Sequence, residues 1–398
     1  MKIGIVTTWF ERGAAYVSRT YMDLLTELGH QVFIYARGGD GAPDKHSDRW
    51  NESYVTKDLK YNDTQVSKRK FFNWIKKNKL ELILFNEQRH FLIVALTKKK
   101  FPNIRVGAYV DYYKEDTIPL FHIYDFVICN TRRHLQAMST HPQPFYLDWG
   151  VDTELFKSNK TLNSKEPIFF HSVGMSKRKG TDTLINAFID GQLYKKSKLI
   201  IHTQIPITKV CSYQQEELEN FNINIVEKTV TAPGLYSMGN VYVYPTRLDG
   251  LGLTMYEAMS FGMPVITTDY PPMNEIVNND VGSLVKVKDH YCRADAYFYP
   301  MSICDKNDLI RAMKNYIDHP EIIEEKGKKS RELIVSTHSL EIMRNELEGI
   351  INSIEIRLLD KIVYSTIIKS YKSPLRNYLR DISESNNYLR RIKGIFHK

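Results

Sequence analysis

Two carboxylates, Asp249 and Glu257, stand eight positions apart on either side of a glycine-broken loop that opens a helix. The loop follows an apolar run at 241–244, and Gly262 with Pro264 leads into a second run at 265–267. Gly250 and Gly252, alternating with Leu251 and Leu253, give a bare backbone just before a helical stretch at 254–261. The first N–H groups of a helix have no intrahelical acceptor, so such a turn can cradle an anion. Glu257 lies one turn further on, among Met255, Tyr256, Ala258 and Met259, which argues against a solvated face. There it can accept hydrogen bonds from neutral hydroxyls of the same ligand. Phosphate beside a vicinal diol is what a nucleotide sugar presents. The plain alternatives are glycines serving only as turn residues with positive φ, and Glu257 as an ordinary helical glutamate.

A second cluster precedes it. An apolar run at 168–173 ends in Gly174, and Lys177, Arg178, Lys179 and Gly180 follow within six residues. A diphosphate leaving group gains negative charge as its bond to a sugar breaks, so cations at this turn act most on the transition state. By itself such a cluster is a solvated turn. At the end of a strand, with an anion-binding loop downstream, the functional reading carries more weight.

The elements that must position these residues follow a strand–helix rhythm. Apolar runs at 3–6, 31–35, 82–85, 106–110 and 126–129, with a helix at 16–28 after Gly13, predict a first parallel sheet. Runs at 168–173, 198–202, 223–226, 241–244, 265–267 and 283–285 predict a second. In such sheets the crevice lies beyond the carboxyl ends of the strands. That places Asp111, Glu87 and Arg89 at a crevice edge, with a turn or helix cap as the equal alternative for Asp111. The lysine-rich 68–79 segment sets Phe71, Trp74 and Ile75 at helical spacing and reads as a sheet-covering helix rather than a membrane anchor.

The chain of 398 residues carries a net charge of +9, unevenly placed. Residues 1–150 have 22 Lys and Arg against 16 Asp and Glu, 151–354 have 23 against 26, and 355–398 have 10 against 4. No nucleic-acid motif accompanies the basic parts. An anionic membrane surface, met by the basic N-terminal domain and tail, is the better physical candidate, with plain solvated charge equally open. In the tail, Tyr364, Ile367, Ile368 and Tyr371 fall at helical spacing, and 375–396 reads as a second amphipathic stretch. Packing onto the N-terminal domain is the first expectation for both, membrane contact the second. No run is long and apolar enough to span a bilayer, and the N-terminus enters a strand directly, unlike a signal peptide. The four cysteines show neither metal spacing nor a C-x-x-C pair, so a reducing, cytoplasmic setting is expected.

The 246–275 segment resembles the E-x7-E region of the retaining family 4 glycosyltransferases, with Asp249 where that family usually has Glu. The 172–182 segment resembles the family's G-R-x-x-x-x-K-G turn: Lys179-Gly180 matches the K-G pair, Met175 replaces the arginine, and the loop is one residue shorter. Gly150, Val151, Asp152 and Phe156 resemble its interdomain linker. The resemblance implies the α/β GT-B fold, two Rossmann-like domains with parallel sheets facing across a cleft and C-terminal helices crossing back to the N-terminal domain. It divides the chain into 1–150 (acceptor side), 151–337 (donor binding) and 338–398 (crossover helix and basic tail).

The resemblance also implies a retaining transfer of a sugar from a UDP- or GDP-linked donor to a glycan, lipid-linked or protein-linked acceptor. Lys179, with Arg178 or Lys177, would stabilise the diphosphate, assisted by the N–H groups of 250–253. Glu257 would hold the ribose, Asp249 and Asp111 the transferred sugar. Gly174 and Gly13 would line the donor site, and Thr229 and Val230 would meet the base. No cofactor and no metal are implied, because no D-x-D motif is present and the cations replace it. Two other readings are a nucleotide-sugar 2-epimerase of the same fold and a non-catalytic sugar-nucleotide-binding or membrane-associated scaffold.

Overall fold

The computed structural model describes residues 1–10, 13–37, 50–58, 64–158 and 166–371. The chain divides into two compact units. Unit 1 comprises Met1–Leu147, Arg293–Phe298 and the chain from Arg344 onward; unit 2 comprises Asp148–Cys292 and Tyr299–Met343. The sequence boundary at 150 lies three residues from the first of these limits, but nothing in the sequence points to the return of 293–298 to unit 1.

Unit 1 runs β1 (Lys2–Thr7), α1 (Gly13–Glu27), β2 (Gln31–Ala36), β3 (Val55–Lys57), α2 (Lys68–Asn78), β4 (Leu82–Asn86), α3 (Phe91–Lys100), β5 (Arg105–Tyr109), β6 (Phe126–Cys129), α4 (Arg132–Ala137) and β7 (Pro144–Tyr146). All its strand pairings are parallel, in the order β3-β2-β1-β4-β5-β6-β7. Such strands are covered on both faces, which is why Ile3, Ile5 and Val6 or Ile83 and Phe85 read as unbroken apolar runs. Helix α2 behaves as a sheet cover: Phe71, Phe72, Trp74 and Ile75 are buried, Ser67 caps the start, and Lys79 ends it in a left-handed conformation. Gly13, expected in a loop, is instead the first residue of α1. The hydrogen bond from Asn86 Nδ2 to Ala14 O, at 2.8 Å, ties that first turn to the end of β4.

Unit 2 runs β8 (Ile168–Gly174), α5 (Thr181–Asp190), β9 (Lys198–Thr203), α6 (Gln215–Glu219), β10 (Ile223–Glu227), β11 (Val241–Tyr244), α7 (Leu253–Ser260), β12 (Val265–Thr268), α8 (Met273–Ile276) and β13 (Gly282–Val285). An antiparallel hairpin follows, β14 (Val287–Tyr291) and β15 (Met301–Cys304), then α9 (Lys306–Asp318) and α10 (Glu321–Thr337). The main sheet is parallel with the order β10-β9-β8-β11-β12-β13. Chain order reverses between β8 and β11, and a ligand crevice opens at such a reversal, outside the carboxyl ends of the two strands. The linker anchors itself here: Val151 N donates to His338 O at 2.8 Å, and a Cβ on Gly150 would come within 2.8 Å of Ser339 O.

Helix α11 (Leu340–Ser353) carries the chain from unit 2 into unit 1, and α12 (Lys361–Tyr371) packs there on α3. Ile367 is fully buried, and Tyr371 lies against His90 with ring centroids 4.3 Å apart. This is the packing expected for the first part of the tail. The 375–396 stretch lies outside the described residues.

Candidate active site

The first site residues arise where β8 ends. Gly174 closes the strand with φ +60°, and a single turn of 3-10 helix spans Lys177–Lys179, capped by Ser176. Gly180 follows with φ +74°, where a Cβ would lie 2.0 Å from Pro245 O. Only glycine permits both the backbone and that approach. Beneath the turn, buried His171 donates from Nδ1 to Val243 O at 2.7 Å and meets Thr181 Oγ1 through Nε2 at 2.9 Å. Its imidazole thus fixes the start of α5 to β11. Burial pushes its pKa down to about 4, with a smaller downward push from Lys179.

Across the reversal, β11 delivers Tyr244 and then the loop bearing Asp249. Lys179 Nζ, the Tyr244 hydroxyl and Asp249 Oδ2 are mutually hydrogen-bonded. The other carboxylate oxygen, Oδ1, accepts the N–H groups of Gly250 at 2.9 Å and Gly252 at 3.3 Å. Two amides expected to meet phosphate are therefore engaged by Asp249 itself. Leu251 is buried beside them, and Leu253 opens α7 with Gly252 as its cap at φ +84°. Burial alone would raise the Asp249 pKa, but the charges of Lys179 and Arg178 and the two side-chain hydrogen bonds hold its carboxyl far below the usual range. Lys179 is shifted down by burial, partly offset by Asp249.

Of the two residues expected to supply a second cation, Arg178 is half-buried and its charge reaches Asp249, whereas Lys177 is exposed. The Arg178 carbonyl accepts from Arg247 N at 2.8 Å, which joins the two loops.

Glu257 sits one turn into α7 and receives the Tyr236 hydroxyl at 2.5 Å. Burial raises its pKa to about 7 against the opposing pull of that hydrogen bond and of Lys179. Thr229 and Val230 lie on the loop after β10 that ends at Tyr236; Thr229 is exposed and Val230 half-buried. Tyr236 and Tyr244 are the site residues that sequence reading missed. Tyr244 had a signal, being the last residue of a strand beside the reversal; Tyr236 had none.

In unit 1, Asp111 follows β5 with its side chain about a quarter exposed, and its Oδ1 lies 3.9 Å from Nε2 of buried His134. The Tyr113 hydroxyl meets the other ring nitrogen at 2.7 Å. The 293–298 segment docks beside them: Tyr297 OH donates to Asp111 O at 3.1 Å, Tyr112 OH donates to Asp295 Oδ2 at 3.1 Å, and the Tyr112 and Tyr297 rings stack at 5.3 Å. Arg89 lies over the Tyr112 ring, its guanidinium carbon 5.2 Å from the centroid. Gly13 is exposed, and Glu87 is half-buried with φ +50°.

Residues 152–296 match the family described as glycosyl transferases group 1. A glycosyltransferase of Haemophilus influenzae is 24% identical over 149 residues, 35% of this chain and 37% of the relative. The lipopolysaccharide core biosynthesis mannosyltransferase of Rhizobium meliloti is 30% identical over 103 residues, 24% of this chain and 29% of the relative. The chain thus spans about a third of the length of the curated relatives it matches. A pneumococcal O-GlcNAc transferase, solved with UDP and GlcNAc, shares the fold with a TM-score of 0.67 at 12% identity, over 88% of this chain and 99% of that one. Two Rossmann-like α/β units built on parallel sheets are therefore the architecture of this protein.

Proposed function

We propose that this protein is a retaining glycosyltransferase using a nucleotide-diphosphate sugar. The single observation that carries the reading is the meeting of Lys179, Arg178, Asp249 and Glu257 at the chain-order reversal of unit 2. The diphosphate draws Lys179 from Asp249, and the amides at the start of α7 complete its cradle. Glu257 accepts from the ribose hydroxyls. Asp249, released from Lys179, accepts from a hydroxyl of the transferred sugar, while the 229–230 backbone meets the base. Lys179 and Arg178 neutralise the charge that develops on the leaving diphosphate. A metal is not required, since these cations do its work.

In the transfer step the acceptor oxygen bonds to the anomeric carbon as the carbon–oxygen bond to phosphate breaks. The acceptor proton passes to the departing phosphate oxygen on the same face. Asp111, at the crevice edge of unit 1, is that unit's candidate for the sugar. The donor is UDP- or GDP-linked, and the acceptor is a glycan, free or linked to lipid or protein. The similarity to a transferase solved with UDP supports the first alternative for the base.

Incubation with a panel of UDP- and GDP-sugars tests the reading: one donor should release nucleoside diphosphate, with turnover unaffected by EDTA and the product's anomeric configuration equal to the donor's. Glu257→Ala should weaken donor binding by about 1–2 kcal/mol, the worth of a lost hydrogen bond. Donor binding without any release of diphosphate would favour a scaffold instead.

A further inference from the structure

We infer that the segment 356–369 forms a docking surface for an anionic lipid bilayer. Eight large hydrophobic side chains stand out from the described surface, and three of them lie within seven residues: Ile356 (44% exposed), Leu358 (96%) and Ile362 (80%). They do not belong to a frayed strand. Arg357 N donates to Asp125 Oδ1 at 2.7 Å, its carbonyl accepts Lys98 Nζ at 3.2 Å, and its guanidinium reaches Tyr124 O at 3.3 Å. Two residues beyond Leu358, Asp360 caps α12 by accepting from Ile362 N and Val363 N at 2.9 and 3.0 Å. The protein fastens the chain on both sides of Leu358 and points its side chain into water.

Helix α12 buries Ile367 and leaves Ile362, Ser365, Thr366 and Lys369 on the opposite, exposed face, with Lys361 alongside. Basic charge surrounds this apolar tip. Exposed Lys99 has its Nζ 5.3 Å from the Tyr364 ring, and Lys100 its Nζ 5.7 Å from the Phe72 ring, which continues the basic run to α2. Of the acids nearby, Asp125 is paired with Lys98 and Asp360 caps α12, whereas Glu355 is exposed, as are Glu115 and Asp116 at the start of the 3-10 segment Glu115–Ile123 that packs against α12.

Charge decides the occupant. A second copy on this face would bring lysines against lysines, and so few apolar side chains fall far short of the ~1,000 Å² a stable protein interface needs. An anionic leaflet complements the lysines, each of which strengthens binding about fivefold near the surface, while Leu358 and Ile362 enter the headgroup boundary. The surface shares no residue with the proposed reaction and stands or falls without it.

Flotation of the full chain with vesicles of phosphatidylcholine, alone or mixed with phosphatidylglycerol, tests the inference. The expected result is capture by the mixed vesicles only, weakened by salt. Leu358→Asp with Ile362→Asp, and separately Lys99→Glu with Lys100→Glu and Lys361→Glu, should each reduce capture about tenfold or more. Because these side chains are exposed, melting temperature and diphosphate release from a soluble donor should not change, which separates this result from a failure of the proposed reaction. Equal capture of wild type and variants, or no capture by anionic vesicles, would overturn it. So would lipid-free dimerisation that the same substitutions abolish, since the face would then belong to a second copy.

Discussion

Lys179 and Asp249, seventy residues apart in sequence, are ion-paired, and the Tyr244 hydroxyl bonds to both. Because the pair is largely buried, removing one charge leaves the other poorly solvated. Lys179→Met should cost about 3 kcal/mol of stability, and Lys179→Met with Asp249→Leu less than the two single changes added together. Urea unfolding of the four proteins measures the coupling; strict additivity would mean the pair is not energetically linked.

The same pair has an acid signature. The folded pKa of Asp249 is depressed below its ordinary 3.8, so its stabilisation is complete above that value and is lost as pH falls through the folded pKa. Wild type should therefore lose stability more steeply than Asp249→Asn below about pH 4. Thermal melts between pH 2 and 5, ranges set by the same linkage, check this.

Glu257 behaves in the opposite sense. Its pKa is raised from 4.5 to about 7, so the folded protein holds its proton more tightly and this group's contribution to stability declines as pH rises through that window. A ribose diol prefers the ionised carboxylate. Affinity for a nucleotide sugar, whose diphosphate stays ionised here, should fall below pH 7, by about 5- to 30-fold in all as the worth of the ribose hydrogen bond is lost, and level off above it. Titration calorimetry across this range should show a flat profile for Glu257→Gln. Tyr236→Phe removes a bond that lowers the pKa and should move the midpoint upward.

Gly180→Ala meets both a left-handed backbone and the Pro245 carbonyl, 2.0 Å from the new Cβ. A destabilisation of at least about 1–3 kcal/mol is expected, together with loss of donor affinity as the Lys179 turn shifts. Denaturation midpoint and donor affinity measured on one sample test it; unchanged values for both would show that the turn relaxes freely.

Asp125 accepts Lys98 Nζ at 2.5 Å, Val106 N at 2.7 Å and Arg357 N at 2.7 Å, and its side chain is fully buried. Asp125→Ala strands a buried lysine and two amides, and should cost about 3–5 kcal/mol. Limited proteolysis should then cut near Arg357 well before the rest of unit 1 unfolds.

Local pattern carried much of this protein. Apolar runs bounded by turn residues located the six strands of the main sheet of unit 2, because strands of a parallel sheet packed under helices are largely apolar. The Lys179 turn and the 249–257 loop could be paired from sequence because each follows a strand, and a doubly wound sheet gathers strand ends. The aromatic stripe of α2 declared itself core by its spacing.

What tertiary structure decided is partnership. Tyr236 and Glu257, twenty-one residues apart, carry no spacing that announces their bond. The engagement of the Gly250 and Gly252 amides by Asp249 depends on the path of one loop, which composition does not specify. The return of 293–298 to Asp111 and the clasp of Arg357 on Asp125 join residues 186 and 232 positions apart. Periodicity reports which face of an element meets the core, since that is a property of neighbours along the chain. Which side chains then share a proton or a charge is set by the packed geometry of elements far apart in sequence, and that exists only once the sheets have formed.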